Sequence, residues 1–237
     1  MIISRLIPNK FIKYLKNRLG VPNQASSLLR LKELGFEPQH ILDIGAYEGH
    51  WALEVAAIFP KAHILMIEGQ KAKEDILSKR LNEIPNTELR IALLGAETKN
   101  VTFNIYETAS SVFKEDNETN AKIEQIELQL LDQIVADTRF EKTDLIKLDT
   151  QGYELEILKG GIKTLQSAQL VLIEVSLLGI YKGAPLVDEV IHFMKSHGFI
   201  LYDICTLMRR PYDNALYQSD FLFIKQNHPL IASTRWD

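Results

Sequence analysis

Asp43, Gly45 and Gly49, in the stretch ILDIGAYEG, have the residue types and spacing of a turn that binds a nucleoside-like ligand. An apolar run leads into Asp43 and a helical pattern follows Gly49, so the glycines lie where a strand passes into a helix. Glycine lets a ligand approach the backbone closely, and the N-terminus of a helix attracts negative groups. The stretch therefore predicts a ligand-binding turn at the carboxyl end of a strand.

A dinucleotide is the first ligand to consider, and its fingerprint requires glycine at the first, third and sixth positions of such a turn. Counted from Gly45, the third and sixth positions hold Tyr47 and His50. A side chain at position 47 would crowd a pyrophosphate, because glycine there lets the backbone come near it. A nucleoside without phosphate fits better. S-adenosylmethionine is such a ligand, with its amino-acid end at Gly45 and with Asp43 either fixing the turn or contacting the ammonium.

Glu68 ends a second apolar run, HILMIEG, at about the distance of 20 residues from the first glycine at which dinucleotide sites place an acid for the ribose. We expect Glu68 to accept hydrogen bonds from both ribose hydroxyls of the nucleoside. The alternative is structural, with glycines that form a tight turn and an acid that caps a helix. The turn and the acid together favour a cofactor site over that alternative.

Asp149 lies at the end of a further apolar run, in DLIKLDTQGYELEILKGG, and is the predicted catalytic residue. If S-adenosylmethionine gives its methyl group to a hydroxyl, a nearby group must take the proton of that hydroxyl, because an alcohol is a poor nucleophile. Asp149 could be that base, a hydrogen-bond acceptor for the substrate, a neighbour of the positive sulfur, or a helix cap. Glu174 ends the next run, LVLIEVS, and could contact substrate or, with Asp149, hold Mg²⁺.

The elements that position these residues alternate between strand and helix, which favours an α/β sheet that is mainly parallel and covered on both faces. Ligands in such sheets bind beyond the carboxyl ends of the strands. The last two strands are joined by a connection too short for a helical crossover, so we predict an antiparallel pair. Predicted strands cover 40–45, 63–69, 88–94, 101–107, 144–150, 170–176, 199–205 and 220–225; predicted helices cover 50–59, 71–84, 153–166 and 185–198, with a loop at 108–125 and either strand or helix at 126–135.

Taken together, these stretches resemble the FkbM-type methyltransferases, a branch of the class I S-adenosylmethionine-dependent enzymes. ILDIGAYEGHWAL is similar to the first motif of that family, MIEGQ to its second-strand motif, and DLIKLDTQGYELEILKGG to its most specific signature. The resemblance covers about residues 40–225 and departs from the family at Gln151, where an acid is usual, and at Gly69, where proline is usual. It implies a Rossmann-like three-layer sandwich with a seven-stranded, mainly parallel sheet and an antiparallel last strand.

The same resemblance implies methyl transfer to a hydroxyl of a sugar, glycan precursor or secondary metabolite. Ser110 and Ser111 lie where the family often has serine, and they are either ligand contacts or plain loop residues. Two other functions stay open: a non-catalytic protein that binds S-adenosylmethionine or another nucleoside and, less favoured, a nicotinamide-dependent oxidoreductase. The predicted cofactor-binding residues are Asp43, Gly45, Ala46, Tyr47, Gly49, His50, Glu68, Gly69, Gln70, Ala92 and Gln151, and the predicted catalytic residues are Asp149 and Glu174.

Composition and charge narrow the function classes further. The formal net charge is −4, whereas a general nucleic-acid binder is usually basic, so nucleic acid is not an expected partner. The small-molecule or glycan acceptor is what the resemblance implies. The single cysteine, Cys205, excludes an intramolecular disulfide and fits a cytoplasmic location. No apolar run approaches the ~20 residues of a membrane span.

The N-terminal segment is basic, with Arg5, Lys10, Lys13, Lys16 and Arg18 and no acid among residues 1–20. We predict that residues 1–35 form a basic helical extension of a methyltransferase domain that spans residues 36–237. Residues 1–20 could pack against that domain, contact a homodimer partner or lie on an anionic membrane surface, and the packed arrangement is favoured.

Overall fold

The structure, a computed structural model, describes residues 20–105, 122–179, 183–233 and 236. The predictions for residues 1–19 and for Ser110 and Ser111 lie outside these ranges. Within them the strands are β1 (His40–Ile44), β2 (His63–Glu68), β3 (Thr87–Ile91), β4 (Leu93–Leu94), β5 (Asn100–Ile105), β6 (Lys122–Gln129), β7 (Leu145–Leu148), β8 (Leu170–Ser176), β9 (Phe199–Ile204), β10 (Met208–Arg209) and β11 (Leu216–Lys225). The helices are α1 (Gln24–Glu33), α2 (His50–Ile58), α3 (Glu74–Glu83), α4 (Leu131–Val135), α5 (Glu154–Lys159), α6 (Ile162–Ser167) and α7 (Val187–Ser196), with 3₁₀ turns at Lys71–Lys73, Arg139–Glu141 and Pro229–Ile231.

The central sheet has the strand order β3-β2-β1-β7-β8-β11, with β9 and β10 both paired to β11. The pairs β1–β2, β2–β3, β1–β7 and β7–β8 are parallel, whereas β11 runs antiparallel to β8, β9 and β10. The predicted fold class and the antiparallel last strand are thus confirmed. The sheet has eight strands instead of seven, because the connection between β9 and β11 forms the two-residue strand β10.

A small second sheet, β4-β6-β5, accounts for the predictions that were wrong. The run 88–94 was expected to be one strand, but it breaks at Ala92, so that β3 stays in the central sheet and β4 pairs with β6. The expected loop 108–125 extends too far, because β6 already begins at Lys122 and pairs antiparallel with β5. The undecided run 126–135 contains both alternatives, the end of β6 and then α4.

Two hydrophobic clusters pack on opposite faces of the central sheet, because neighbouring residues of a strand point to opposite faces. Leu42 and Ile44 of β1 belong to one cluster, and Ile41 belongs to the other. The second cluster also contains Leu28 and Leu31, so α1 packs on the face to which Ile41 points. The domain boundary at residue 35 stays a prediction. None of the described helices is long and apolar enough to cross a membrane.

The predicted helix 153–166 is divided into α5 and α6 at Gly160 and Gly161. A Cβ at Gly160 would lie 2.0 Å from the carbonyl oxygen of Gly95, so the helix pair packs directly against the backbone that follows β4. Gly160 therefore lets this helix pair approach the end of the second sheet. This approach forms one side of the site described next.

Candidate active site

An open cleft of about 780 Å³ lies beyond the carboxyl ends of β1, β2 and β7, and we call it the main cleft. The main cleft is lined by Ile44, Gly45, Tyr47, Ile67, Glu68, Gly69, Gln70, Ala92, Leu93, Leu94, Phe103, Asp149, Thr150, Gln151, Tyr153 and Ile157. The fold therefore joins the turn after β1, the end of β2 and the signature stretch after β7 in one cavity.

Gly45 is required where β1 turns toward α2. Its φ is +76°, and a Cβ at this position would lie 1.9 Å from the carbonyl oxygen of Asp149. Tyr47, with a φ of 51°, also adopts the left-handed conformation, which is uncommon for a residue with a side chain. The turns after β1 and β7 are therefore in backbone contact, and any side chain at position 45 would force them apart.

The backbone N–H groups of this turn are already used within the protein. The N–H groups of Gly45 and Ala46 donate to the carbonyl oxygen of Ile67, at 2.9 and 3.2 Å. The N–H of Tyr47 donates to Oε2 of Glu68 at 2.7 Å. Phosphate sites at such turns depend on free N–H groups directed at the ligand. Since these three are engaged, the turn offers little to a pyrophosphate.

Glu68 is buried at the edge of the main cleft and is held by two backbone amides. Its Oε2 accepts from Tyr47, and its Oε1 accepts from the N–H of Gln70 at 2.8 Å. Burial raises the pKa of Glu68, and the two amide hydrogen bonds oppose that rise. Each carboxylate oxygen has a second lone pair that can accept a ligand hydroxyl. Beyond Glu68 the cleft wall is apolar and is formed by Leu93, Leu94 and Phe103.

A buried lysine, Lys147, connects the turns after β1 and β7. Its Nζ lies 3.1 Å from Oδ1 of Asp43, 2.9 Å from the carbonyl oxygen of Gly45, and 3.8 Å from Oδ2 of Asp149. The side chain of Asp43 is 0% exposed and that of Lys147 is 6% exposed. The contact with Asp43 is an ion pair without the alignment of a hydrogen bond, because neither carboxylate oxygen of Asp43 has a hydrogen-bond partner among the described residues.

The charges around Lys147 determine its protonation. Burial alone would lower the pKa of Lys147, but the carboxylates of Asp43 and Asp149 outweigh burial, and the net shift is upward. Burial raises the pKa of Asp43, and the ammonium of Lys147 opposes that rise. Lys147 is therefore a permanent cation at neutral pH, which excludes it as a general base.

The turn after β7 is built around a second buried acid, Glu154. Its Oε1 accepts from the N–H of Thr150 at 2.8 Å, from the hydroxyl of Thr150 at 3.1 Å and from the N–H of Gly152 at 3.2 Å. Gln151 has a φ of 56° within this turn. Its amide Nε2 donates both to Oδ1 of Asp149, at 3.0 Å, and to Oε2 of Glu174, at 3.1 Å. Gln151 thus links the two predicted catalytic acids.

Glu174 is an acid that keeps its proton at neutral pH. Burial raises its pKa to about 10, and the nearby charges of Asp149, Glu154 and Asp220 add to the effect. Its Oε2 also accepts from Nε2 of Gln218 at 3.0 Å. The two acids do not fit a Mg²⁺ site, because an amide N–H donor lies between them and one of them is neutral. No group of three or more potential ligands for a metal occurs among the described residues.

Replacing Glu174 with glutamine is expected to stabilise the protein increasingly as the pH rises from 5 to 9. An unfolded glutamate ionises near pH ~4.3, whereas folded Glu174 holds its proton to about pH 10. Folding therefore opposes ionisation, so the stability of the wild-type protein falls as the pH rises through this window. The introduced glutamine does not ionise, and its side-chain oxygen still accepts hydrogen bonds from both neighbouring amides. Urea unfolding should show a relative gain of about 2–5 kcal/mol. Glu141→Gln, at an exposed position, is the control, and a gain independent of pH would contradict the prediction.

The structure brings eight of the predicted site residues to the main cleft: Gly45, Tyr47, Glu68, Gly69, Gln70, Ala92, Asp149 and Gln151. The other five lie elsewhere. Asp43 and Ala46 are buried beneath the turn, and Gly49 packs against Arg80 and Leu77 of α3. His50 lines a second groove, and Glu174 lies behind Gln151.

Sequence reasoning missed Lys147 and the apolar wall of the main cleft. Lys147 has one readable signal, because it is a charged residue that interrupts the apolar run LIKL. Its position opposite Asp43 is set by the parallel pairing of β1 and β7. Apolar and polar residues alternate along β5, but nothing in that pattern indicates that Phe103 faces a ligand cavity. Leu93 and Leu94 lie within the run 88–94, which was predicted to be a single strand. They reach the main cleft because that run breaks at Ala92.

The strand order and the position of the main cleft define a Rossmann-like protein of the class I methyltransferase type. A model of the methyltransferase FkbM domain matches residues 43–201, which is more than half of the chain, and the protein belongs to this family.

Solved structures of low sequence identity share the fold. The methyltransferase FkbM from Methylobacillus flagellatus KT is 17% identical with a TM-score of 0.56, and the match covers 85% of this chain and 48% of that one. TrmK of M. capricolum, in complex with S-adenosyl-homocysteine, is 11% identical with a TM-score of 0.51, and the match covers 85% of this chain and 67% of that one. The protein thus spans about half the length of the Methylobacillus chain. No curated protein shows significant similarity to the sequence.

Proposed function

We propose that the protein is an S-adenosylmethionine-dependent O-methyltransferase that acts on a hydroxyl of a sugar, glycan precursor or secondary metabolite. The observation that carries the cofactor assignment is the carboxylate of Glu68, fixed by two backbone amides at the edge of a cleft with an apolar far wall. This arrangement fits a ribose next to an adenine. When bound, S-adenosylmethionine would supply a methyl group on a positively charged sulfur and leave as a neutral thioether.

Asp149 is the proposed proton acceptor for the hydroxyl. Its side chain is 39% exposed and lines the main cleft, so an acceptor can reach it. Gln151 donates to one carboxylate oxygen, and the ammonium of Lys147 lies 3.8 Å from the other. These two contacts orient the carboxylate and compensate its charge. Glu174, which is neutral and lies behind Gln151, positions the Gln151 amide and is not itself the base.

The two competing functions are less well supported. A nicotinamide-dependent oxidoreductase would need the N–H groups of the turn after β1 for a pyrophosphate, and those of Gly45, Ala46 and Tyr47 are engaged within the protein. A non-catalytic binding protein would have no use for an exposed carboxylate oriented by an amide and an ammonium at the edge of the main cleft. Such an arrangement is expected where a proton must be moved.

Replacing Asp149 with asparagine is expected to lower methyl transfer about 10²–10⁴-fold and to leave the affinity for S-adenosylhomocysteine nearly unchanged. The two side chains have nearly the same shape, but asparagine cannot take a proton. Calorimetry with S-adenosylhomocysteine and with NAD, and methyl incorporation into a panel of glycans, provide the readouts. Asp188→Asn, at an exposed position on α7, is the control. Binding of NAD alone would overturn the cofactor assignment, and unchanged turnover in Asp149→Asn would overturn the assignment of the base.

A further inference from the structure

A second open groove, of about 700 Å³, adjoins the main cleft at Asp149, and we call it the side groove. It is lined by Gln24, His50, Trp51, Glu54, Lys147 and Asp149. Gln24 begins α1, and His50 and Trp51 begin α2. The apolar wall of the main cleft belongs to the hydrophobic cluster on one face of the sheet, whereas Trp51 packs against the cluster on the other face. Asp149 therefore borders two cavities that extend to opposite sides of the sheet edge.

The walls of the side groove combine an aromatic ring with hydrogen-bonding groups. Trp51 is half-buried, and the carboxylate of Glu54 and the imidazole of His50 are exposed. The indole ring has a large apolar face that can pack against the C–H face of a saturated ring, and carboxylate oxygens accept hydrogen bonds from hydroxyls. The amide of Gln24 can both donate and accept. This set of groups fits a ring that carries several hydroxyls.

Charge in the side groove argues against an anionic ligand and against a cation stacked on Trp51. Among the described lining residues, the ammonium group that could bind an anion belongs to Lys147. It is already in contact with Asp43 and with the carbonyl oxygen of Gly45. A phosphate or carboxylate would therefore meet Glu54 and Asp149 without a free counter-charge. The same ammonium lies 6.0 Å from the centre of the Trp51 ring, so a second cation over this ring would be repelled.

We propose that the side groove is the acceptor site, and that it binds an uncharged polyhydroxylated ring, such as a pyranose, stacked on Trp51 with one hydroxyl directed at Asp149. This inference rests on the proposed function, because it takes Asp149 as the residue that receives the hydroxyl proton. It adds the residues that select the acceptor: Trp51 provides the platform, and Glu54 provides a hydrogen-bond acceptor for a second hydroxyl. It also separates the acceptor from the cofactor, which occupies the main cleft.

Saturation-transfer NMR with methyl pyranosides as probes tests the side groove. The protein contains two tryptophans, and Trp236 is fully exposed, so Trp236→Ala is a matched control for Trp51→Ala. We expect methyl α-D-glucopyranoside, methyl α-D-mannopyranoside or methyl α-L-rhamnopyranoside to bind the protein saturated with S-adenosylhomocysteine. Trp51→Ala should weaken that binding at least about tenfold, whereas Trp236→Ala should leave it unchanged. In the Trp236→Phe variant, the remaining fluorescence of Trp51 should change as the pyranoside is added.

Two further variants keep the test decisive, because Trp51 also packs against the core. Trp51→Phe should retain most of the pyranoside binding, and Glu54→Ala, at an exposed position, should weaken it severalfold without affecting thermal stability. Equal binding by Trp51→Ala and Trp236→Ala would overturn the inference. Binding of tetramethylammonium or inorganic phosphate in place of the pyranosides would also overturn it. Failure of the wild-type protein to bind S-adenosylhomocysteine would instead overturn the proposed function, and calorimetry measures that affinity separately.

Discussion

Replacing Lys147 with methionine is expected to lower the free energy of unfolding by about 3–5 kcal/mol. Methionine keeps most of the apolar stem but removes the ammonium that lies 3.1 Å from Asp43. The carboxylate of Asp43 is fully buried and has no hydrogen-bond partner in the part of the chain that the structure describes, so it would remain as an uncompensated charge. Removing one partner of a buried ion pair is costly for this reason, even where the intact pair contributes little to the free energy of unfolding. Urea unfolding monitored by circular dichroism measures the change.

Lys159→Met provides the matched control for the loss of an ammonium. Lys159 pairs with Glu156 on an exposed surface of α5, and such pairs contribute about 0–1 kcal/mol. The double variant Asp43→Asn/Lys147→Met removes both charges and should recover at least half of the stability lost in Lys147→Met. Equal losses in Lys147→Met and Lys159→Met would show that the buried pair has no special role.

The pH dependence of the stability of Lys147→Met gives an independent test of the same ion pair. Burial already raises the pKa of Asp43 in the wild-type protein, and loss of the neighbouring ammonium raises it further. An acid whose folded pKa lies above its unfolded value of about 3.9 costs stability as the pH rises past that value. The destabilisation by Lys147→Met should therefore be smaller at pH 4 than at pH 7. A constant loss over this range would mean that Asp43 is not the group left without compensation.

Replacing Glu68 with glutamine is expected to weaken S-adenosylhomocysteine binding about ten- to 150-fold. Hydrogen bonds to charged groups contribute about 1.5–3 kcal/mol, and the carboxylate is the proposed acceptor for the ribose hydroxyls. Glutamine also presents an NH₂ group to one of the two backbone amides that now donate to Glu68. Two donors would then face each other, so the turn after β1 would also lose part of its support. Isothermal calorimetry gives the affinity, and the exposed Glu141→Gln is the control.

A comparison of two nucleosides separates the ribose contact from the effect on the turn. Wild-type protein should bind adenosine more tightly than 2′,3′-dideoxyadenosine, which lacks both hydroxyls. Glu68→Gln should remove most of that preference. If Glu68→Gln weakens both nucleosides equally, Glu68 supports the turn but does not contact the ribose.

The sequence predicts the fold and half of the residues that line the main cleft, because both depend on local patterns. Apolar runs that end in Asp149 and Glu68 and in the turn at Gly45 identify strand ends, and a parallel sheet brings strand ends to one edge. No local pattern sets Lys147 against Asp43, since that contact depends on the register between β1 and β7. For Gln151, the link to Asp149 and Glu174 depends on a left-handed backbone conformation that glutamine rarely adopts.

Predictions also failed where tertiary packing, and not the local pattern of a segment, decides how it pairs. The run 88–94 has the pattern of one buried strand, but its last two residues leave the central sheet to pair with β6. The segment beginning at Lys122 is polar, which favours a loop, yet it pairs along the whole length of β5. Polar residues are tolerated there because Gln125 and Glu127 are exposed, whereas Leu128 is buried.

The close approach of Gly45 to the carbonyl oxygen of Asp149 has a consequence for how ligand preference can be changed. The two turns cannot shift independently, because the gap between them has no room for even a methyl group. The two turns, which carry Gly45 and Asp149, are thus held together rigidly and tolerate little substitution. With the side groove as the proposed acceptor site, new acceptor preferences are expected from changes in its walls, at positions such as Gln24, Trp51 and Glu54, where replacing a side chain leaves the two turns in place.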